Sequence, residues 1–225
     1  PGPVSLIVKF SPRIVDEAGR RVADLLVAEG VALDVLRDRG RPAATSEILV
    51  AGDRLFLEVE RFDRTRGRGR RGTISLAALA AEFVGETIGW GGPAASLAGQ
   101  GLIDGSAARD VRWLECFGGL IANTDMHQGN LSFLASGTRA TGLAPAYDML
   151  PMLYAPRDGE IPGAAFRPPA PSPSDADVLG DAIDAAADFW SRVQAHPLVS
   201  AGFQAIARAN LGAIQALAPV VRLLP

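Results

Sequence analysis

IANTDMHQGNLSF, residues 121–133, is the stretch on which the reading of this chain turns. It follows WLECFGGLI (113–121), an apolar segment with helical spacing, and runs into LSFL (131–134), which reads as a strand. Between them sit Asn123, Asp125, His127 and Asn130. The chain has three Asn and two His in all, so two of the Asn and one of the His fall within eight residues. A polar cluster wedged between two packed elements is a loop held rigidly at both ends, a setting in which functional side chains are presented.

After LSFL comes a predicted hairpin, through TRATGLAPAYD, that ends at Tyr147-Asp148 and returns Asp148 to the neighbourhood of Asn130. Phosphoryl transfer asks for this set of groups: a carboxylate that orients a hydroxyl and takes its proton, oxygen ligands for Mg²⁺, and a cation on the phosphates. Asp125 suits the first role. Asn130 and Asp148 suit the second, since Mg²⁺ prefers carboxylate or amide oxygen and keeps several waters. The cation is Lys9, in the strand-like SLIVKF. Of 22 basic residues 21 are Arg, so the one Lys marks a place where a compact ammonium on a flexible stem is wanted. Each residue also has a plainer reading, as a turn residue, a cap or a solvated strand end. His127 reads as a brace that hydrogen-bonds the loop or, alternatively, as a metal ligand.

The remaining pattern predicts strands at 4–10, 46–52 and 54–62, the last two joined at Gly52-Asp53. It predicts a helix over 20–30 that stops at Gly30, with a short helix over 31–38, and a loop at RTRGRGRRG. A Ser- or Thr-capped helix follows from TISLAALAAEF, then a segment from Trp90 broken by Gly and Pro, and a long helix over 107–123. Eight of the sixteen Pro lie between 145 and 173, an extended linker, and two helices close the chain near 176–194 and 200–218.

Composition narrows the class. With 225 residues and 48% hydrophobic content the chain buries a real core. A net charge of -3 argues against a whole-protein binder of nucleic acid or anionic membranes. No apolar run approaches the ~20 residues of a membrane span, and no secretory signal is visible. The lone Cys116 makes no intrachain disulfide and reads as a small buried hydrophobe. A cytoplasmic protein is expected.

NTDMHQGNLSF (123–133) followed by LAPAYDMLPMLYAP (143–156) resembles the HipA-like serine/threonine kinases, the toxin kinases of bacterial toxin–antitoxin modules and their solitary relatives. VKF (8–10) and LEVERFDR (57–64) with GRRGTISL (69–76) carry the same resemblance, which runs from about residue 4 to about 215. It implies an α+β, protein-kinase-like fold: a partial small lobe over 1–63 and a mainly helical lobe over 64–225 that carries the catalytic hairpin. It implies ATP and Mg as cofactors, a protein substrate with a Ser or Thr acceptor, and an antitoxin as a possible partner. Asp125 takes the catalytic-loop position, with His127 beside it counted among the catalytic residues, Asn130 and Asp148 the metal positions, and Lys9 the phosphate contact. Glu60, Arg61 and Phe62 form a hinge whose backbone meets adenine, and Asp63 reaches toward the ribose. The sequence departs from the family in two places. Only three residues precede Val4, so the strands and phosphate-covering loop that come before the Lys strand are missing. Gly129 stands where many relatives carry Lys. An inactive kinase-like domain is therefore one alternative.

Three rivals compete. GRGRRG (67–72) spells a dinucleotide-binding pattern, but no strand leads directly into its first Gly. Arg61, Arg64, Arg66, Arg68, Arg70 and Arg71 form a basic patch for phosphate backbones or an acidic partner, without the aromatic residues that stack bases. A metal-dependent phosphohydrolase would use Asp125, His127 and Asp148.

Overall fold

The structure is a computed structural model that describes residues 4–65, 69–85, 88–137 and 139–217. In chain order the elements are β1 (Leu6–Phe10), α1 (Glu17–Asp38), β2 (Ser46–Ala51), β3 (Arg54–Glu60), β4 (Gly72–Ser75), α2 (Leu76–Phe83), α3 (Gly91–Gly99), α4 (Gly105–Leu120), β5 (Ser132–Ser136), β6 (Arg139–Leu143), α5 (Ala176–Ala195) and α6 (Ala201–Gln215). They build two three-stranded antiparallel sheets, ordered β1-β3-β2 and β4-β5-β6, set among helices.

β3 alternates as a half-buried strand should: Leu55, Leu57 and Val59 are buried, and their neighbours are partly exposed. α1 covers that face and packs its other side on α5. A helix covered on two sides must be apolar on both, and the run from Leu25 to Leu36 is buried almost throughout. Asp16 starts α1 by accepting from Gly19 N at 2.7 Å. The helix does not stop at Gly30 as its sequence predicts. Gly30 instead faces the sheet where the two approach most closely, and a Cβ there would lie 3.2 Å from Ile48 Cδ1.

Register fixes which way β1 faces. Leu6, Val8 and Phe10 stand opposite Glu60, Glu58 and Phe56 on the outer face and are 43%, 46% and 59% exposed. Ile7 on the other face is 50% exposed as well, so register rather than exposure decides which side of β1 faces α1. Ile7 and Lys9 share the inner face with Val59 and Leu57, so the single lysine points toward α1.

The helical part closes on stacked and edge-on aromatic pairs: Trp113 with Phe117, Phe117 with Phe189, and Phe189 with Trp190. Trp190 is fully buried and its indole donates to Leu120 O at 3.0 Å, which satisfies a carbonyl at the end of α4. α4 ends in a left-handed turn at Ala122 (φ 60°). Asn123 N donates to Gly118 O at 2.9 Å and Ala122 N to Gly119 O at 3.2 Å, the double bond of a Schellman stop. That stop aims the polar loop away from the helix axis.

Three further predictions are corrected. Residues 73–75, expected at the start of the helix, pair with β5 as part of strand β4; the helix that follows has the expected Ser cap, Ser75 accepting from Ala78 N. Residues 91–99 form α3 despite Gly and Pro, because Pro93 sits in the first turn where its missing N–H is not needed. The hairpin ends at Leu143, and an extended segment carries the chain on to Asp148.

Asp24 joins α1 to the α5–α6 turn. It is 1% exposed and accepts from Ser200 N at 2.8 Å and Ser200 Oγ at 2.6 Å; burial raises its carboxyl pKa against the pull of those bonds. Replacing Asp24 by Ala strands two donors, and urea unfolding is expected to show a loss of about 2 kcal/mol.

Candidate active site

Lys9 Nζ donates to both oxygens of Glu29, at 2.6 and 2.8 Å, and to Asp148 Oδ1. One ammonium therefore binds a helix, a strand and the segment after the hairpin to one another. The Glu29 side chain is 1% exposed and that of Asp148 is 35% exposed. Burial works to lower the Lys9 pKa, but the Glu29 charge and the hydrogen bonds from both carboxylates outweigh it, and the net shift is upward. Burial raises the Glu29 pKa, with Lys9 opposing. Lys9 remains an ammonium across neutral pH. Its contribution to stability is complete below its ordinary value of 10.5 and is lost only as pH climbs past the raised one.

The polar loop joins this centre through Asn123, which is buried. Its Oδ1 accepts from Asp125 N at 3.1 Å and its Nδ2 donates to Asp148 O at 3.3 Å. Tyr147 makes a second tie, donating to Gly129 O at 3.1 Å while its hydroxyl lies 2.9 Å from Ser132 Oγ. Asn130 Nδ2 donates to Asp125 O at 2.9 Å. The side-chain oxygen of Asn130 and the Asp125 carboxylate take no hydrogen bond among the described residues. Asp148 sits at φ 53°, a left-handed conformation that Asp tolerates better than most residues.

A cavity of about 310 Å³ opens beside this centre, lined by Lys9, Glu29, Val59, Glu60, Arg61, Phe62, Asp63, Thr73, Tyr147 and Asp148, among others. Phe62 and Tyr147, both on its lining, pack against one another with ring centroids 5.8 Å apart. Glu60 N donates to Thr45 O and Arg61 N to Ser5 O, whereas the Glu60 carbonyl and the Phe62 N–H have no partner among the described residues. Two larger grooves, about 590 and 530 Å³, lie around Ile14, Arg20 and Ser200. Three of their carboxylates, Asp16, Asp24 and Asp53, are committed to a helix cap, to Ser200 and to Arg13. The smaller cavity holds Lys9, Glu29 and Asp148, while Asp125 and Asn130 are not on its lining.

The remaining expected residues divide. Asp63 lines the cavity but is gripped by Arg61, at 2.9 and 2.7 Å, and by Arg64; the Arg61 hydrogen bonds hold its pKa below the usual carboxylate range. Those pairs occupy two of the six arginines of the basic patch, and Arg66 and Arg68, with part of GRGRRG, lie outside the described residues. His127 uses Nδ1 to accept from Gly129 N at 3.1 Å, the role of a local brace. Its ring also explains Gly129, where a Cβ would lie 2.9 Å from the imidazole. Among the described residues no three His, Cys, Asp or Glu gather as a metal set, which tells against a trio of Asp125, His127 and Asp148. Cys116 is half-buried, its thiol pushed up to about 12 mainly by burial, with nearby carboxylates adding to it. No helix among the described residues is long and apolar enough to cross a membrane.

Sequence reasoning missed Glu29, Asn123 as a tie, and Tyr147. Glu29 did leave a signal, as the one charge inside the apolar run LLVAEGVAL.

A two-sheet α+β body with a Lys–Glu–Asp centre under a cleft is a protein-kinase-like arrangement, and comparison with known proteins agrees. Residues 1–168 match the HipA-like C-terminal domain family, and the chain belongs to it. It is 38% identical over 205 residues to Toxin YjjJ of Escherichia coli (strain K12); the match covers 90% of this chain and 46% of that protein, so the chain spans about half the length of this relative. Two solved structures share the fold at a TM-score of 0.62 each. One is HipA of Shewanella oneidensis MR-1, solved with HipB and operator DNA, at 19% identity over 96% of this chain and 58% of that one. The other is the Helicobacter pylori proinflammatory kinase CtkA, at 13% identity over 96% of this chain and 90% of that one.

Lys9→Met leaves Glu29 buried without its cation and is expected to cost about 3 kcal/mol in urea unfolding. Adding Glu29→Leu is expected to recover most of that loss, because the pair is then replaced rather than broken.

Proposed function

We propose that this chain is the kinase part of a HipA-like toxin, transferring the γ-phosphoryl group of ATP to a Ser or Thr hydroxyl of a protein with Mg²⁺ as cofactor. The observation that carries the proposal is the Lys9 ammonium bridging Glu29 and Asp148 at the edge of a cavity of nucleotide size.

The residues fit their ligands. The unpaired Glu60 carbonyl and Phe62 N–H present an acceptor and a donor two residues apart. Adenine offers the complement, an amino donor beside a ring-nitrogen acceptor, and guanine reverses it. Phe62 and Tyr147 supply apolar walls for the base. Asp148 and the free oxygen of Asn130 are hard oxygen donors suited to Mg²⁺, which when bound neutralises phosphate charge.

The chain's own residues then do three things. Lys9, held by Glu29, aims its charge at the phosphates in the way the Lys–Glu pair of kinases does. Asn123 and Asn130 fix the loop backbone so that the exposed, unpaired Asp125 carboxylate faces incoming substrate. Asp125 accepts the hydroxyl proton as the oxygen attacks phosphorus and ADP leaves. Most of the rate comes from positioning and charge neutralisation. HipA of Shewanella oneidensis was solved with HipB, and an antitoxin partner for this chain is proposed by analogy with that complex.

Asp125→Asn is expected to keep Mg·ATP affinity by calorimetry within about twofold and to lower transfer at least 100-fold. Asp148→Asn is expected to weaken Mg·ATP binding itself. Transfer at the parent rate in Asp125→Asn contradicts the role given to that residue.

A further inference from the structure

We propose that Trp90, clamped by Glu115, is a positioning residue that sets the polar loop carrying Asp125; this rests on the phosphoryl-transfer reading above.

α3 begins at Gly91 without a side-chain cap of its own. Its first amides are instead satisfied from another helix. Glu115, on α4, accepts from Trp90 N at 2.7 Å and from Gly91 N at 2.8 Å. A carboxylate on a helix N-terminus is favourably placed for both hydrogen bonds and dipole. The approach is possible only because glycine flanks the tryptophan. A Cβ at position 89 would lie 2.3 Å from Glu115 Oε1 and one at 91 would lie 2.8 Å from Oε2, and Gly89 has φ +75°. The sequence GWGG, read as broken backbone, is a seat for this carboxylate.

So fixed, Trp90 is 1% exposed and its indole Nε1 donates to His127 O at 3.1 Å. The same carbonyl accepts from Asn130 N at 2.9 Å, closing the turn over 128–130. Asn130 in turn donates its side-chain amide to Asp125 O at 2.9 Å. The path therefore runs from α4 through Glu115 and the Trp90 indole to the His127 carbonyl, and from there to Asn130 and Asp125. Gln128 Nε2 donates to Gly89 O at 3.2 Å and stitches loop and strap a second time. Packing alone would need only a large ring at 90. The aimed N–H fixes the carbonyl on which the turn closes, and small displacements of reacting groups cost rate steeply.

The test uses Trp90→Phe, which keeps a buried ring and removes the donor. Transfer is expected to fall about tenfold in kcat, with KM for ATP within twofold and Tm within a few degrees. A readout independent of activity comes from the imidazole signals, since the chain has only two His. In Trp90→Phe the His127 signals are expected to shift or broaden while those of His196 stay in place. Glu115→Gln, which loses one of the two acceptors, is expected to show the same pattern more weakly and serves if Trp90→Phe does not fold. Unchanged His127 signals, or a Tm loss with kcat and KM both at parent values, would overturn the assignment. If the parent protein transfers no phosphate, the functional reading fails and the imidazole signals still decide the positioning role.

Discussion

The contact between the Lys9 ammonium and two carboxylates holds the rest of the arrangement in place. Glu29 is taken almost wholly out of water in the middle of α1, a cost that no helix bears without a partner. Lys9 reaches it from the inner face of an edge strand, and Asp148 adds a second carboxylate, so the trio carries one negative charge in excess. The three residues come from β1, α1 and the segment after β6, so the contact links all three. The helix matters most. It is buried against the sheet on one side and against α5 on the other, and Asp24 ties it to Ser200.

The second constraint is steric. The polar loop leaves α4 through a left-handed alanine and settles back against the helix it left. It does so because Gly118 has no side chain: a Cβ there would lie 2.2 Å from Met126 Sδ. Gly129 gives room to the His127 ring in the same way, and Gly89 and Gly91 admit Glu115. Small residues at close approaches set the loop backbone, and the polar side chains then act from a fixed base.

Much of this was legible in the sequence, for reasons particular residues make clear. The two closing helices show strong periodicity and are found where expected, and the hairpin forms but stops at Leu143, short of the expected Tyr147-Asp148. Asp125, Asn130, Asp148 and Lys9 stand out because they are rare or clustered, and the structure connects them through direct contact or one intervening side chain. The errors share a cause. Local pattern marks glycine as a breaker at Gly30 and after Trp90, where its role is close packing against a sheet and a carboxylate; that depends on the neighbour in space, which local pattern does not reveal. β1 was identified by apolar residues that turn out to face outward, because a strand's period marks alternation without saying which face is covered. Glu29 lies inside the predicted helix over 20–30, yet its partner lies twenty residues away on another element.

The decisive property of the site is where a nucleotide sits. A crystal structure with Mg²⁺ and a non-hydrolysable ATP analogue measures this directly. The expected result has the adenine edge on the Glu60 carbonyl and Phe62 N–H, the metal on Asp148 and Asn130, and Lys9 turned to a phosphate oxygen while still bound to Glu29. An analogue bound away from this cavity, or a Lys9–Asp148 contact left intact beside an occupied site, would contradict it.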